Sequence, residues 1–200
     1  LAALGGSRPN GLFFTGDLGQ RIFQEPFSWE EVGVNVRGRS TTLRVNYRTS
    51  HQIRSQSDRL LNPILSDVDG NSEDRRGTIS VFNGPAPEVV VCNNIAHEAE
   101  VVSQWLAEPL KSGVQPHETA VFVRSETELP RAQTVVEAIE ASCVVLDKRL
   151  KAQKGSVSVT TMHLAKGLEF KAVAVMACDD EITPSQARIE TVSDESDLED

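Results

Sequence analysis

Short β-branched runs alternate with stretches of helical apolar spacing along most of this chain, and that order limits the fold more than any other feature. Thr78–Phe82, Val89–Cys92, Thr119–Val123, Cys143–Leu146, Val157–Thr161 and Val173–Ala177 read as strands. Ile95, Val102, Trp105, Leu106 and Leu110 keep one helical stripe, and Leu129, Ala132, Val135, Val136 and Ile139 keep another. Strands and helices in this order predict an α/β domain with a mainly parallel sheet flanked by helices. Upstream, the apolar run Gly11–Thr15 reads as a buried strand that delivers the loop beginning at Gly16, and Thr49 or Ser50 is placed to cap a helix carrying Ile53, Leu60 and Leu61, disturbed near its end by Pro63. The polar stretch Ser66–Gly77 reads as a loop and the best internal linker. No internal repeat is evident.

Composition excludes several classes of protein. The longest apolar run, Ala172–Cys178, is far short of the roughly 18 residues of a membrane span. The chain opens on Leu1 with no basic and apolar leader, so it reads as a cut within a longer chain. Cys92, Cys143 and Cys178 are odd in number and never form a CxxC pair, which argues against a disulfide framework and for a reducing cytoplasm. His51, His97, His117 and His163 are equally scattered, and no metal site is expected among these residues. The net charge of −9 is local: residues 179–200 carry nine acids against Arg188, leaving the body nearly neutral. That acidic segment, poor in aromatics, is expected to be mobile. Six arginines between Arg37 and Arg59 face only Asp58, which makes that stretch an anion-facing candidate or a solvated surface.

Three constellations carry chemistry. In TGDLGQRIF (Thr15–Phe23), Gly16 allows a sharp exit from a strand, and Gln20 is a neutral donor and acceptor suited to orienting water; a capped turn with a surface glutamine accounts for the same letters. In NYRTS (Asn46–Ser50), the Tyr47 ring can stack on a base while Arg48 offers a planar fork to a terminal phosphate; a half-buried tyrosine beside a solvated arginine is the plainer reading. In VSVTTMHLAKGLEF (Val157–Phe170), Thr160, Thr161 and His163 can donate to a phosphate backbone. Lys166 adds a flexible cation, Gly167 permits close approach, and Glu169 can accept from a ribose hydroxyl, all at a strand end where α/β sheets bind ligands; a polar loop with a helix start accounts for the same letters.

Together, and in this order, the three strings resemble motifs III, IV and V of the UvrD/Rep/PcrA family of superfamily 1 DNA helicases: TGDLGQRIF, LRVNYRTSHQI and VTTMHLAKGLEF. The resemblance spans nearly the whole chain, although residues 66–155 match in pattern more than in letters. It implies a RecA-like fold, with residues 1–42 as the end of a first RecA-like domain, 43–178 as a second without the large insertion of longer members, and 179–200 as a link toward motif VI. It further implies ATP held with Mg2+ between the two domains, single-stranded DNA laid across both, and stepping in the 3′-to-5′ direction. By the same resemblance Gln20 senses the γ-phosphate or positions the attacking water, Tyr47 stacks on adenine, and Arg48 is an arginine finger. Glu169 and Gly167 hold the ribose, Lys166 lies near phosphate, and Thr161 and His163 face DNA.

The departures matter as well. No GxxxxGK[ST] and no acidic Walker B strand precede Gly16, so the phosphate cradle and the Mg2+ ligands are expected in a first RecA-like domain outside this sequence, and this chain alone is expected to be inactive. Where the family places an aromatic-arginine-glycine group for stacking bases, this chain has QEPFSW; Phe23 keeps a possible stacking role, and Phe27 and Trp29 serve either as replacements or as core. The alternative to a motor is a non-catalytic helicase-like module that scaffolds a repair or transcription complex.

Overall fold

A computed structural model describes residues 11–16, 28–31, 33–36, 38–60, 62–70, 72–147, 152–180 and 182. Gln20, Phe23 and Phe27 lie outside them, as does the acidic segment apart from Asp179, Asp180 and Ile182. The chain divides into two compact units, Leu1–Val89 and Val90–Asp200.

The second unit is built on four parallel strands. β5 (Thr119–Val123) pairs with β7 (Val157–Thr161) on one side and β8 (Ala172–Val175) on the other, and β6 (Cys143–Val145) flanks β7, giving the order β6-β7-β5-β8. All five residues of β5 and all five of β7 are buried. The alternation in VSVTT therefore does not mark a wet face: a central strand of a parallel sheet is covered on both sides. Thr160 meets the cost of burial by donating from Oγ1 to the Leu146 carbonyl at 3.3 Å. Ser158 Oγ, equally buried, has no hydrogen-bond partner among the described residues.

One face of this sheet carries the core. Val121, Val123, Val157 and Val159 stand on it, and Leu106, Ala132, Val135 and Val136 pack over them from two helices. The first helix, Ile95–Lys111, starts at Asn94, whose side chain accepts from the His97 amide at 2.9 Å; the second, Leu129–Glu137, opens with Pro130 in its first turn. Ser103 Oγ donates to the Val135 carbonyl at 3.2 Å and sets the helices side by side. Each fully buried valine or leucine contributes roughly 1.5–3 kcal/mol, so this layer supplies much of the unit's stability. Parallel strands flanked by helices make a RecA-like α/β architecture, as the sequence predicts.

The first unit is built from shorter pieces. β1 (Val45–Asn46) and β4 (Ile79–Ser80) form a parallel pair, while β2 (Ile64–Ser66) and β3 (Ser72–Asp74) form an antiparallel hairpin. Ser50 caps the short helix His51–Ser57, accepting from the Ile53 amide at 3.4 Å. Arg54 on that helix has a side chain only 11% exposed; it pairs with Asp58 at 2.9 Å and donates to the carbonyls of Thr78 and Arg75. One of the six clustered arginines is thus committed to holding the fold.

Three expectations are corrected. Gly11–Thr15 forms no strand: Phe13 is 89% exposed, and the neighbouring Phe14 packs its ring on Trp29 with centroids 4.6 Å apart. Val89–Cys92 forms no strand either, because no partner strand among the described residues reaches it and Val89 and Val91 stay exposed after the two prolines of NGPAP. Ser66–Gly77 is not a plain loop but the turn and second strand of the β2–β3 hairpin, with Gly70 at φ +79° and its amide bonded to the Asp67 carbonyl. Asp69 at the hairpin tip accepts from the amides of Trp29 (2.6 Å) and Glu30 (3.4 Å) and from the Ser28 hydroxyl.

Ser158→Ala removes an unsatisfied buried hydroxyl and is expected to be neutral or stabilising, whereas Thr160→Val should cost about 1 kcal/mol through the lost bond to Leu146; urea unfolding of the two variants checks the contrast. Just past β3, the Arg76 side chain grips Asp74 with two bonds of 2.9 Å, and that contact, with the Arg76 amide, lowers the Asp74 pKa from 3.8 to about 2. A folded-state value below the unfolded one stabilises the fold above about pH 4 and is lost as pH falls through about 2. Carboxyl titration by NMR should find Asp74 at the low value in the wild type and near the ordinary one in Arg76→Ala.

Candidate nucleic-acid and nucleotide site

Strand ends position every described candidate residue. In the first unit, β1 runs into Asn46, whose side-chain oxygen accepts from the amides of Arg48 (2.8 Å) and Thr49 (3.0 Å). This tight turn fixes the backbone between strand and helix and leaves Tyr47 displayed, 75% exposed, beside an exposed Arg48. An aromatic face and a guanidinium on adjacent residues can bind a base and a phosphate.

In the second unit, β7 ends at Thr161 and is followed by a 3-10 turn, Met162–Leu164. Thr161 is 7% exposed, His163 is exposed, and Thr160 is withdrawn into the sheet by its bond to Leu146. Thr160 is therefore not a phosphate donor, contrary to the sequence reading. The next turn closes with the Leu168 amide on the Ala165 carbonyl at 3.0 Å, and Gly167 sits at φ +88° with open space where a Cβ would be. Backbone conformation, not crowding, requires glycine there. Lys166 and Glu169, on either side of it, are exposed.

A cleft of about 1020 Å3 opens over this edge of the sheet, lined by the ends of β5, β6 and β7. Thr161 and His163 face it together with Arg124, which directly follows β5. Arg124 Nη1 lies 2.8 Å from His163 Nε2. Arg124 lies outside all three motif strings; its signal in the sequence is an arginine at the exit of the apolar run TAVFV, the same position relative to a strand that the motif residues take. Glu126, Glu128 and Asp147 line the same cleft, so its charge is mixed.

The far flank of this edge is braced by ions. Arg131 pairs with Glu98 at 2.5 Å and with Asp179 at 2.6 Å, its side chain only 12% exposed. The second Glu98 oxygen accepts from the Ala177 amide at 2.8 Å, which holds Ala177 in a left-handed conformation at φ +57°. The Arg131 hydrogen bond keeps the Asp179 carboxyl below its usual range. Burial pushes the Cys178 thiol upward, as it does Cys143, so neither is poised as a thiolate.

Residues 144–200 match the family model of the UvrD-like helicase C-terminal domain. The match begins within β6 and takes in β7, the 3-10 turn and β8, and so contains Thr161, His163, Lys166, Gly167 and Glu169. No curated protein matches the chain. Among the described residues no helix is long and apolar enough to cross a membrane, and no group of three or more His, Cys, Asp or Glu could hold a metal ion.

Arg131→Met strands Glu98 as a nearly buried, unpaired carboxylate and should cost about 3 kcal/mol. Adding Glu98→Gln, which keeps an acceptor for the Ala177 amide, should recover part of that loss. Urea midpoints of the single and double variants measure both quantities.

Proposed function

We propose that this chain is the C-terminal part of an ATP-dependent 3′-to-5′ DNA helicase or translocase and supplies half of an inter-domain ATP site together with part of a single-stranded DNA track. Residues 1–42 are read as the end of the first RecA-like domain, 43–178 as the second, and 179–200 as the link beyond it, in a cytoplasmic protein. The observation that carries this reading is the convergence of Arg124, Thr161 and His163 on one cleft within a unit whose later part matches the UvrD-like domain.

The physical logic runs from charge to movement. A phosphate backbone is held by donors and cations at the strand ends: the Thr161 hydroxyl and the Arg124 guanidinium, with His163 beside them. On the nucleotide side, Tyr47 stacks on the base and Arg48 reaches a transferring phosphoryl group, where an arginine supplied across a domain boundary is worth about 10³–10⁵ in rate. Gln20 orients the attacking water, and Phe23 stacks on a DNA base. Gly167 lets the backbone approach the ribose, Glu169 accepts its hydroxyl, and Lys166 serves a nearby phosphate. Hydrolysis then requires closure, and closure moves the strand.

ATP is the substrate. Mg2+ would be held by the first RecA-like domain; the described residues supply no metal cluster for it. The second reading, a scaffold for a repair or transcription complex, keeps the fold and the DNA contact without turnover.

Two measurements separate these readings. The chain should bind labelled single-stranded DNA with salt-dependent affinity, and Arg124→Ala should weaken binding and reduce the magnitude of the log–log salt slope by about 0.7, the value for one lost phosphate contact. ATP hydrolysis should be absent in the chain alone and appear, stimulated by single-stranded DNA, when it is joined to a RecA-like domain bearing GxxxxGK[ST]; Arg48→Ala should then abolish it. DNA binding without any such hydrolysis would support the scaffold.

A further inference from the structure

Apolar side chains line the cleft as well as charged ones: Leu129, Val145, Leu146, Leu164 and Ile182. Four of these five lie on a helix, strand or 3-10 turn or next to one, and those elements place them. Ile182 is different. It lies beyond the end of β8 and reaches the cleft only because the chain turns back there.

That reversal is not the local preference of the chain. Ala177 adopts φ +57°, a left-handed conformation that a residue with a Cβ disfavours, so contacts from elsewhere must impose it. Two contacts do so. Glu98 Oε1 accepts from the Ala177 amide at 2.8 Å, and Arg131, which donates from Nε to Glu98 Oε2 at 2.7 Å, donates from Nη1 to Asp179 Oδ2 at 2.6 Å. The Ile182 amide then closes the turn on the Asp179 carbonyl at 2.8 Å, and the Ile182 side chain packs against the core cluster. Neither Arg131 nor Asp179 is among the residues that line the cleft. Whatever influence they have on a ligand there passes through the place where the turn sets Ile182.

We propose that Ile182 is an apolar wall against which a base of the bound strand rests, and that Asp179, gripped by Arg131, is the positioning residue that sets this wall. The proposal rests on the DNA-binding reading above and deepens it: phosphate engages Arg124 at the strand end, while a base leaves water on the apolar side of the same cleft. It also fixes a sign that charge alone would reverse. Removing the Asp179 carboxylate makes the surroundings of the cleft less negative, which by itself strengthens the binding of a polyanion. Losing the grip on the turn weakens it.

The test is fluorescence anisotropy of the full chain with two fluorescein-labelled strands, (dT)15 and a 15-residue strand of abasic sites with the same backbone. Wild type is compared with Ile182→Ala, Asp179→Asn, their double variant and Asp179→Glu, and urea midpoints check that each variant is folded. On (dT)15, Ile182→Ala and Asp179→Asn should each weaken binding about fivefold, and the double variant should be no more than about twofold weaker than Ile182→Ala. Asp179→Glu, which keeps a carboxylate for Arg131, should stay within about twofold of wild type. On the abasic strand these differences should vanish. Binding that is tighter or unchanged in Asp179→Asn, losses that multiply in the double variant, or losses that persist on the abasic strand would each overturn the assignment and leave the DNA reading intact. Wild-type chain that shows no salt-dependent binding to (dT)15 would remove the DNA reading and the proposal with it. A second readout does not depend on affinity. The Ile182 methyl resonance should shift when (dT)15 is added to wild type, and it should stand at a different position in free Asp179→Asn; if either shift is missing, the assignment fails.

Discussion

The parallel pairing of β5 with β7 and β8 is the constraint on which the second unit depends. It forces two strands to be buried along their entire length, which consumes their side chains in packing and leaves chemistry only to residues just past the strand ends. Arg124 and His163 are adjacent because Val123 and Thr161 are in register. A one-residue slip would turn the valines of the core toward the opposite face and separate the two basic residues.

Much of the second unit was legible in the sequence because its segments are long enough for periodicity to show. TAVFV and VSVTT occupy β5 and β7 with the predicted bounds, and the stripe from Ile95 to Leu110 falls within a single helix. The failures share a cause. GLFFT and EVVVC have the composition of strands, but a strand exists only where a neighbour satisfies its backbone, and composition does not name the neighbour. Conversely, SDVDGNSEDRRG reads as loop by its polar letters, yet a glycine at positive φ closes it into a hairpin whose tip carboxylate caps a turn roughly 40 residues earlier in the chain. Local letters do not reveal that distant pairing.

The candidate site shows the same division. The residues offered by motif, such as Thr161 and His163, are found at a cleft, but their surroundings differ from what side-chain type suggests: Thr160 is committed to Leu146, and His163 lies against the Arg124 guanidinium. Arg54 likewise belongs to a cluster that reads as anion-facing, while the structure spends it on Asp58 and two carbonyls. Charge counted along a sequence overstates the charge available to a ligand, because folding neutralises part of it.

The order β6-β7-β5-β8 also sets a schedule for the chain as it is made. Ala120 in β5 finds one partner in Ser158 and the other in Val173, so the first strand of the sheet to leave the ribosome must wait for about fifty more residues before both its edges are satisfied. Until then an apolar strand with two open edges is exposed to every other nascent chain nearby. The helix from Ile95 to Lys111, which is synthesised just before β5 and packs over the same core, is available to shield it during that interval.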